Sequence, residues 1–284
     1  MTPYGVFQSL AAVVAVSFAA LRLRRVGWAW APILRLAAVT AAGGLAGGLA
    51  SGAVTAWLLR GGGVHAGFGG SIFGVAIGSG AAALAWLLRH GLPVGEAFDC
   101  GVVPLPLAQA IARLGCFSAG CCYGRPTACW LGMTLADSAG RVARRYPAQL
   151  MEAAADLAIF LALVLFERNR RRSRPGLLAV PGSLTLLWVV LYTGVRFTLE
   201  FIRGDGVPLA GGVTLGQAVS LTAGGAAAVG LVLIARRLRR LRAPAGSGTA
   251  GLGRAREGAA DHQDTGGDPE RDDRGGVENR RKGP

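Results

Sequence analysis

The sequence predicts an all-α, polytopic membrane protein with about seven transmembrane helices, its N-terminus outside and its C-terminus in the cytoplasm. The chain has 284 residues, of which 52% are hydrophobic, more than a soluble domain of this size usually contains. The hydrophobic residues are also grouped into runs that are long enough to cross a bilayer. These runs cover residues 5–21, 33–59, 67–88, 99–115, 148–166, 177–201 and 213–235.

The individual runs refine this prediction. Positive charge follows the first run instead of preceding it, which favours a retained helix over a signal peptide. The second run contains the Gly- and Ala-rich stretch 42–48, which is typical of close helix packing in lipid. The second and sixth runs are long enough to indicate tilt or ends that leave the hydrocarbon. The fourth run contains Asp99, two prolines and Arg113, and it is the least hydrophobic of the seven.

The distribution of positive charge predicts the orientation. The net charge of +14 could indicate nucleic-acid binding, but arginines cluster after the first, third, fifth and seventh runs, all on one side. This side is cytoplasmic by the positive-inside rule, so the clusters are interpreted as topology anchors and no nucleic acid is expected as a partner. Residues 1–242 are predicted to form the transmembrane domain. The polar segment 243–284 is predicted to be a disordered cytoplasmic tail.

Arg113 and the segment after it form the first candidate site. An arginine at the end of an apolar run is costly in hydrocarbon unless it is paired or faces a cavity. Gly115 and Gly124 permit close approach of the backbone, and Arg125 adds a second cation. Arg125 belongs to a long outer loop with further arginines, which lie on the wrong side for topology anchors and are suited to phosphate. This pattern predicts a site for an anionic lipid headgroup.

The end of the sixth run holds a second group of charged residues. Arg196 and Glu200 are four residues apart, so they share a helix face and can pair. Arg203 lies about one turn further along and can face the same side. Two arginines and one glutamate would leave a positive charge for an anion, although a purely structural ion pair remains the alternative.

Two further stretches could contribute to the same cavity. The glycine-rich entry to the third run, which includes Gly69 and Gly70, exposes backbone N–H groups to an anion or serves tight packing. His65, in the same stretch, could act as a general base or be an inert loop histidine. At the start of the fifth run, Gln149 and Glu152 could add hydrogen bonds, or could cap and pack the helix.

The five cysteines lack the spacing of a zinc finger. Metal binding, a disulfide and simple packing remain open for Cys116, Cys121 and Cys122. Packing or a disulfide is favoured over metal, so neither a metal ion nor a cofactor is expected. Because adjacent cysteines pair poorly, a disulfide would join Cys121 or Cys122 to Cys116 or Cys129.

Taken in order, these stretches resemble the bacterial prolipoprotein diacylglyceryl transferase family over about residues 4–235. Several short motifs carry the resemblance jointly. They are Tyr4-Gly5, the glycines of 69–74, Leu92-Pro93 to Asp99, Arg113-Leu114-Gly115, Tyr123-Gly124-Arg125-Pro126-Thr127, Arg145-Tyr146-Pro147-Ala148-Gln149-Leu150, Gly194 with Arg196-Phe197, Glu200-Phe201 and Arg203, and Leu215-Gly216-Gln217.

The resemblance implies a multi-pass enzyme of the bacterial cytoplasmic (inner) membrane, with its active site towards the outer leaflet. It would transfer the diacylglyceryl group of phosphatidylglycerol to the lipobox cysteine thiol of a prolipoprotein signal peptide and release glycerol phosphate. By resemblance, Arg113 and Arg196 are the essential cations and Glu200 orients Arg196. Arg203 and Arg125 would contact the headgroup. The residues expected to line the substrate pocket are Tyr4, Gly69, Gly70, Gly115, Gly124, Tyr146 and Gln149.

The chain departs from the family pattern at two places. Phe68 stands where the family usually has a histidine, and if that histidine acts as the base, His65 is the nearest substitute. Cys116, Ala119 and Cys121 stand where the family has two asparagines and a glutamate. The alternatives are a divergent member that uses another acceptor or only binds anionic phospholipid, and a cysteine-based membrane redox protein.

Overall fold

A computed structural model describes residues 2–58, 69–137, 139–172, 177–206 and 209–242. Within these ranges the chain forms eight α-helices and one two-stranded antiparallel sheet, which confirms the all-α fold class. The elements are α1 (Pro3–Arg25), α2 (Trp30–Leu58), α3 (Gly69–Arg89), α4 (Val94–Val102), α5 (Leu105–Ser118), β1 (Met133–Ala136), β2 (Val142–Arg145), α6 (Ala148–Arg172), α7 (Ser183–Glu200) and α8 (Leu215–Arg242). Short 3₁₀ turns at Leu177–Ala179 and Ala210–Gly212 precede α7 and α8.

Each of the seven predicted apolar runs overlaps a helix, and the fourth overlaps two. The segments with the length and composition to cross a membrane are Pro3–Arg25, Trp30–Val54, Val94–Ser118, Ala148–Asn169 and Leu215–Leu241. Gly74–Arg89 of α3 is a shorter apolar helix. The orientation of the termini stays a prediction, and the tail from residue 243 lies outside the described residues.

Prolines divide the fourth run. Helix α4 ends at Val102 and α5 begins at Leu105, directly after Pro104. Pro106 lies in the first turn of α5, where its missing N–H breaks no helical hydrogen bond. The result is one broken span that begins earlier and ends later than the predicted range 99–115.

Glycines bring α2 and α3 into close contact. A Cβ atom at Gly47 of α2 would overlap the carbonyl oxygen of Gly74 on α3, and one at Gly78 would overlap the carbonyl oxygen of Gly43. In lipid, such small residues let two helix backbones gain van der Waals contact. The structure confirms the packing role predicted for the glycines of 42–48.

We expect Gly47→Ala to lower the free energy of unfolding by about 1–3 kcal/mol, because the added methyl group forces the two backbones apart. Gly52→Ala on the same helix is the matched control, since the space around Gly52 is open. The control should keep or raise stability because alanine favours helix over glycine. Thermal unfolding of both variants in detergent measures the difference, and equal losses would contradict the packing described.

A capping carboxylate and an ion pair hold the helices together at the end of the bundle where α1 ends. Asp99 accepts hydrogen bonds from the backbone N–H groups of Gly182 and Thr185, both at 2.9 Å, and thereby caps α7. Arg22 of α1 donates to both carboxylate oxygens of Glu167 on α6, at 2.7 and 2.8 Å. One buried apolar core of the bundle consists of Val102, Val103, Ile159, Leu163 and Leu184.

The loop between α5 and α6 contains the hairpin β1–β2, which the sequence did not predict. At its turn, the carboxylate of Asp137 accepts hydrogen bonds from Arg141 and Arg145, each at 2.9 Å. The backbone N–H of Arg141, together with the other donors, holds the pKa of Asp137 below its usual range. Two of the loop arginines that were predicted to bind phosphate therefore pair within the loop.

Candidate functional site

Three arginines converge on one glutamate where α5, α6 and α7 meet. Nε of Arg113, near the end of α5, lies 2.6 Å from Oε2 of Glu152, near the start of α6. Nη1 of Arg203, just after α7, lies 2.8 Å from Oε1 of the same carboxylate. Nη1 of Arg196, near the end of α7, lies 3.7 Å from this Oε1. Glu152 thus bridges three guanidinium groups from two other parts of the chain.

Glu200 is the second carboxylate of the cluster. Nη1 of Arg196 lies 2.5 Å from its Oε2, which is the pairing that their spacing on α7 predicted. Two glycines confine this carboxylate: a Cβ atom at Gly216 would lie 2.8 Å from Oε2, and one at Gly206 would lie 2.9 Å from Oε1. The start of α8 therefore holds Glu200 in position against Arg196.

Each guanidinium group of the cluster has a carboxylate partner, which corrects the expectation of an unpaired positive charge. Asp205 accepts a hydrogen bond from Nη2 of Arg203 at 2.8 Å, so three carboxylates face three guanidinium groups. Burial would lower the pKa of Arg203, but Glu152 and Asp205 raise it above its usual value. Burial raises the pKa of Asp205, and Arg203 opposes this effect. The spacing within α7 could not reveal these partners, because Glu152 and Asp205 lie outside that helix.

The cluster still has the means to bind an anion. Arg113 contacts Glu152 through Nε, and the forked end of its guanidinium group carries further donors whose planar arrangement suits phosphate. Arg113, Glu152 and Arg196 line a small cavity together with Asp156 and Tyr192.

An open apolar groove runs next to this cavity. It is lined by Ala155 of α6 and by residues of α7 between Val190 and Leu199. Val195 and Leu199 line both the groove and the small cavity. A small cavity lined by arginines and carboxylates thus lies beside an apolar groove.

Hydrogen bonds join the segment that follows α5 to the segment that follows α7. The backbone N–H of Arg125 donates to the carbonyl of Ile202 at 2.7 Å, and its Nε donates to the carbonyl of Arg203 at 3.0 Å. The N–H of Gly204 donates to the carbonyl of Tyr123 at 2.9 Å. In this structure Arg125 therefore positions the backbone of Arg203.

Two glycines that were predicted to admit a ligand instead admit other parts of the protein. A Cβ atom at Gly124 would overlap the backbone oxygen of Tyr146. A Cβ atom at Gly115 would lie 2.9 Å from Cβ of Phe7 and 3.4 Å from the carbonyl oxygen of Tyr4. These glycines let α1 approach α5, and let the loop approach the start of α6.

Other predicted site residues that the structure describes take no part in the ion pairs of the arginine cluster. The side chain of Gln149 is buried, and its Nε2 donates to the carbonyl of Cys121 at 2.7 Å. Gly69 and Gly70 are the first residues of α3. His65 lies outside the described residues, so its role stays a prediction.

Two acidic residues of α6 are more important than the sequence suggested. Glu152 was considered only for hydrogen bonding or capping, and Asp156 was not singled out. Both are buried, and Asp156 lies one turn further along the same helix face. Acidic residues inside an apolar span are costly unless they are paired, and this signal could have identified them.

All five cysteines are free thiols, so the disulfide considered from the sequence is not formed. Three of them, Cys116, Cys121 and Cys122, lie in the last turn of α5 and in the turn after it. Hydrogen bonds with Cys116 and Cys121 hold the pKa of the Cys122 thiol below its usual value. The guanidinium groups of Arg203 and Arg113 lower it further. The thiols and the arginines therefore share one electrostatic environment.

A family model described as prolipoprotein diacylglyceryl transferase matches residues 1–234. The phosphatidylglycerol–prolipoprotein diacylglyceryl transferase of Clostridium tetani is 30% identical over 136 residues, which are 47% of this chain and 51% of that protein. The protein of the same name from Symbiobacterium thermophilum is 33% identical over 188 residues, 63% of each. The chain thus spans between about half and two thirds of the length of these relatives. Because the family match covers 234 of the 284 residues, we conclude that the chain belongs to the prolipoprotein diacylglyceryl transferase family.

Proposed function

We propose that the chain transfers the diacylglyceryl group of phosphatidylglycerol to the lipobox cysteine thiol of a prolipoprotein. The observation that carries this proposal is the convergence of Arg113, Arg196 and Arg203 on Glu152, beside an apolar groove. Membership of the family and the names of the relatives support the same reaction.

The two-part site explains how the lipid would bind. The phosphate would lie against the guanidinium groups of Arg113 and Arg196, where planar donors can contact two of its oxygens. The acyl chains would follow the apolar groove between α6 and α7, so that burial of hydrocarbon aligns the glyceryl carbons with the cluster.

The same arginines would assist the reaction. The acceptor thiolate attacks a glyceryl carbon, the bond from this carbon to the phosphate oxygen breaks, and glycerol phosphate leaves with the electron pair. Negative charge grows on the phosphate during this step, and guanidinium groups already aimed at it lower the barrier. Glu200 orients Arg196, while Glu152 holds all three arginines together. His65 is the proposed base for the acceptor thiol, which must lose its proton to react.

The position of the cluster supports an active site towards the outer leaflet of the cytoplasmic membrane. The cluster lies where α5 and α7 end and α6 begins. The basic residues Arg22, Arg24 and Arg25 lie in the last turn of α1, and Arg89 lies in the last turn of α3. In a chain that alternates direction, these basic ends lie opposite to the cluster, and the positive-inside rule assigns them to the cytoplasm.

The test uses the purified full-length protein, phosphatidylglycerol vesicles and a lipobox peptide. Mass spectrometry should detect a peptide that has gained one diacylglyceryl group, together with released glycerol phosphate. A peptide with serine in place of the lipobox cysteine is the control and should stay unmodified. Lipid binding without any transfer, from phosphatidylglycerol or another anionic glycerophospholipid, would contradict the proposed reaction and favour a lipid-binding protein.

We expect Gly216→Ala to reduce the transfer rate by about ten- to a hundredfold, because the new methyl group displaces the Glu200 carboxylate and misplaces Arg196. Gly225→Ala on the same helix has open space around it and should leave the rate unchanged. The transfer assay compares the two variants after circular dichroism has shown equal helical content. An equal rate in both variants would contradict the positioning role of the α8 start.

A further inference from the structure

A second group of reactive side chains lies beside the arginines. This thiol cluster consists of Cys116, Cys121 and Cys122, whose three Sγ atoms all lie within 4.8 Å of one another. Cys116 is buried in the last turn of α5, and the other two are half-buried in the turn that follows it. Three sulfur atoms from one short segment thus surround a common point.

Backbone and side-chain contacts fix this arrangement. The N–H of Cys121 donates to the carbonyl of Cys116 at 3.2 Å, which closes the turn. Gln149 of α6 donates to the carbonyl of Cys121, and Gly204 donates to the carbonyl of Tyr123, the residue directly after the cluster. The three sulfur atoms are therefore held close together by the fold itself.

The backbone of Cys122 provides an independent observation. Its φ of 60° is the only positive φ at a residue other than glycine within the described ranges. Few residues with a side chain adopt this conformation, and such conformations occur often at ligand sites. Glycine would fit this position without steric cost, so the sulfur is the chemical feature that cysteine adds there.

We propose that the thiol cluster is a binding site for a soft metal cation, with Zn²⁺ held by the thiolates of Cys116, Cys121 and Cys122. Thiolate ligands select soft and borderline cations such as Zn²⁺ and Cu⁺ over Mg²⁺ or Ca²⁺. Zn²⁺ is usually four-coordinate, so three protein sulfurs leave one position for water or another ligand.

The neighbouring arginines favour the charge of such a complex. Three thiolates and one Zn²⁺ carry a net charge of −1, which is costly to bury without a cation nearby. Arg113 lies three residues before Cys116 and thus on the same face of α5. Arg203 lies on the segment after α7, which is hydrogen-bonded to the turn that holds Cys121 and Cys122. Both guanidinium groups would attract the complex.

The cysteine spacing by itself favoured packing or a disulfide, because it matches no familiar zinc motif. The structure supplies what the spacing lacked, namely three sulfurs at mutual distances that one ion can bridge. Cys129 has no part in this group although it lies only seven residues after Cys122. It therefore provides a matched control.

The test measures metal content without any substrate, so its outcome is independent of the proposed transfer reaction. The full-length protein is purified with a reductant, loaded with Zn²⁺, freed of excess ion and analysed by mass spectrometry for metal and for alkylated thiols. We expect one Zn²⁺ per chain and protection of three thiols from alkylation. Cys129→Ser should keep the ion, whereas the triple variant Cys116→Ser, Cys121→Ser, Cys122→Ser should lose it.

A measurement on the unmodified protein covers the case in which the triple variant does not fold. Co²⁺ in place of Zn²⁺ should give a sulfur-to-metal charge-transfer band in the near ultraviolet, with the intensity of three thiolate ligands. A protein that binds no stoichiometric Zn²⁺ when reduced would overturn the proposal, as would undiminished binding by a folded triple variant. A disulfide between two members of the cluster in protein isolated without reductant would also overturn it.

Discussion

Replacement of Arg113 or Arg196 by alanine is expected to slow diacylglyceryl transfer by about 10²- to 10³-fold, or roughly 3–4 kcal/mol. Each variant loses planar donors aimed at the phosphate on which charge develops, and each leaves Glu152 with one counter-ion fewer. The transfer assay with phosphatidylglycerol and a lipobox peptide measures the rate at saturating lipid, after helical content has been checked.

Lysine at either position should restore only part of the rate, because a point charge does not reproduce the planar fork of a guanidinium group. Arg168→Ala is the matched control, since Arg168 is exposed at the opposite end of α6. The control should transfer at the unmodified rate. If either alanine variant of the cluster retained more than a small fraction of the rate, the proposed role of the arginines would be wrong.

The second large effect is expected at Glu152. Glu152→Gln keeps the shape of the side chain but removes the charge that Arg113, Arg196 and Arg203 share. Removal of one partner from a buried ion pair costs about 3–5 kcal/mol, because it leaves uncompensated charge in a medium of low polarity. We therefore expect a marked loss of stability, and slower transfer by the protein that remains folded.

Glu167→Gln separates these two effects. Glu167 also pairs with an arginine, Arg22, but it lies at the other end of α6. This variant should lose some stability while its folded fraction transfers at the unmodified rate. Thermal unfolding in detergent and the rate per folded molecule measure the two quantities. Unchanged stability and rate in Glu152→Gln would refute its central position in the site.

Much of the fold could be predicted because the information is local. The apolar runs locate the helices, since hydrophobic length and composition decide which segments can lie in lipid. The pairing of Arg196 with Glu200 follows from their spacing on one helix. The break between α4 and α5 was not predicted, although Pro104 and Pro106 mark its position.

The centre of the site could not be predicted in the same way. Arg113 and Glu152 lie on helices separated by a long loop, and no spacing rule connects them. The resemblance identified the arginines but not the carboxylate that joins them. Likewise, the sequence could not show that Gly115 and Gly124 face other protein segments, because this depends on how α1 and α6 are placed.

The sequence by itself determined a polytopic helical protein, its charged residues at the ends of spans, and a family resemblance that the comparisons confirmed. Only the tertiary structure decided that three guanidinium groups share one glutamate, that each has a carboxylate partner, and that three thiols lie beside them. Hydrophobicity and helix spacing can be read from neighbouring residues of the sequence. An ion pair or a sulfur cluster depends instead on how distant segments pack in the tertiary structure.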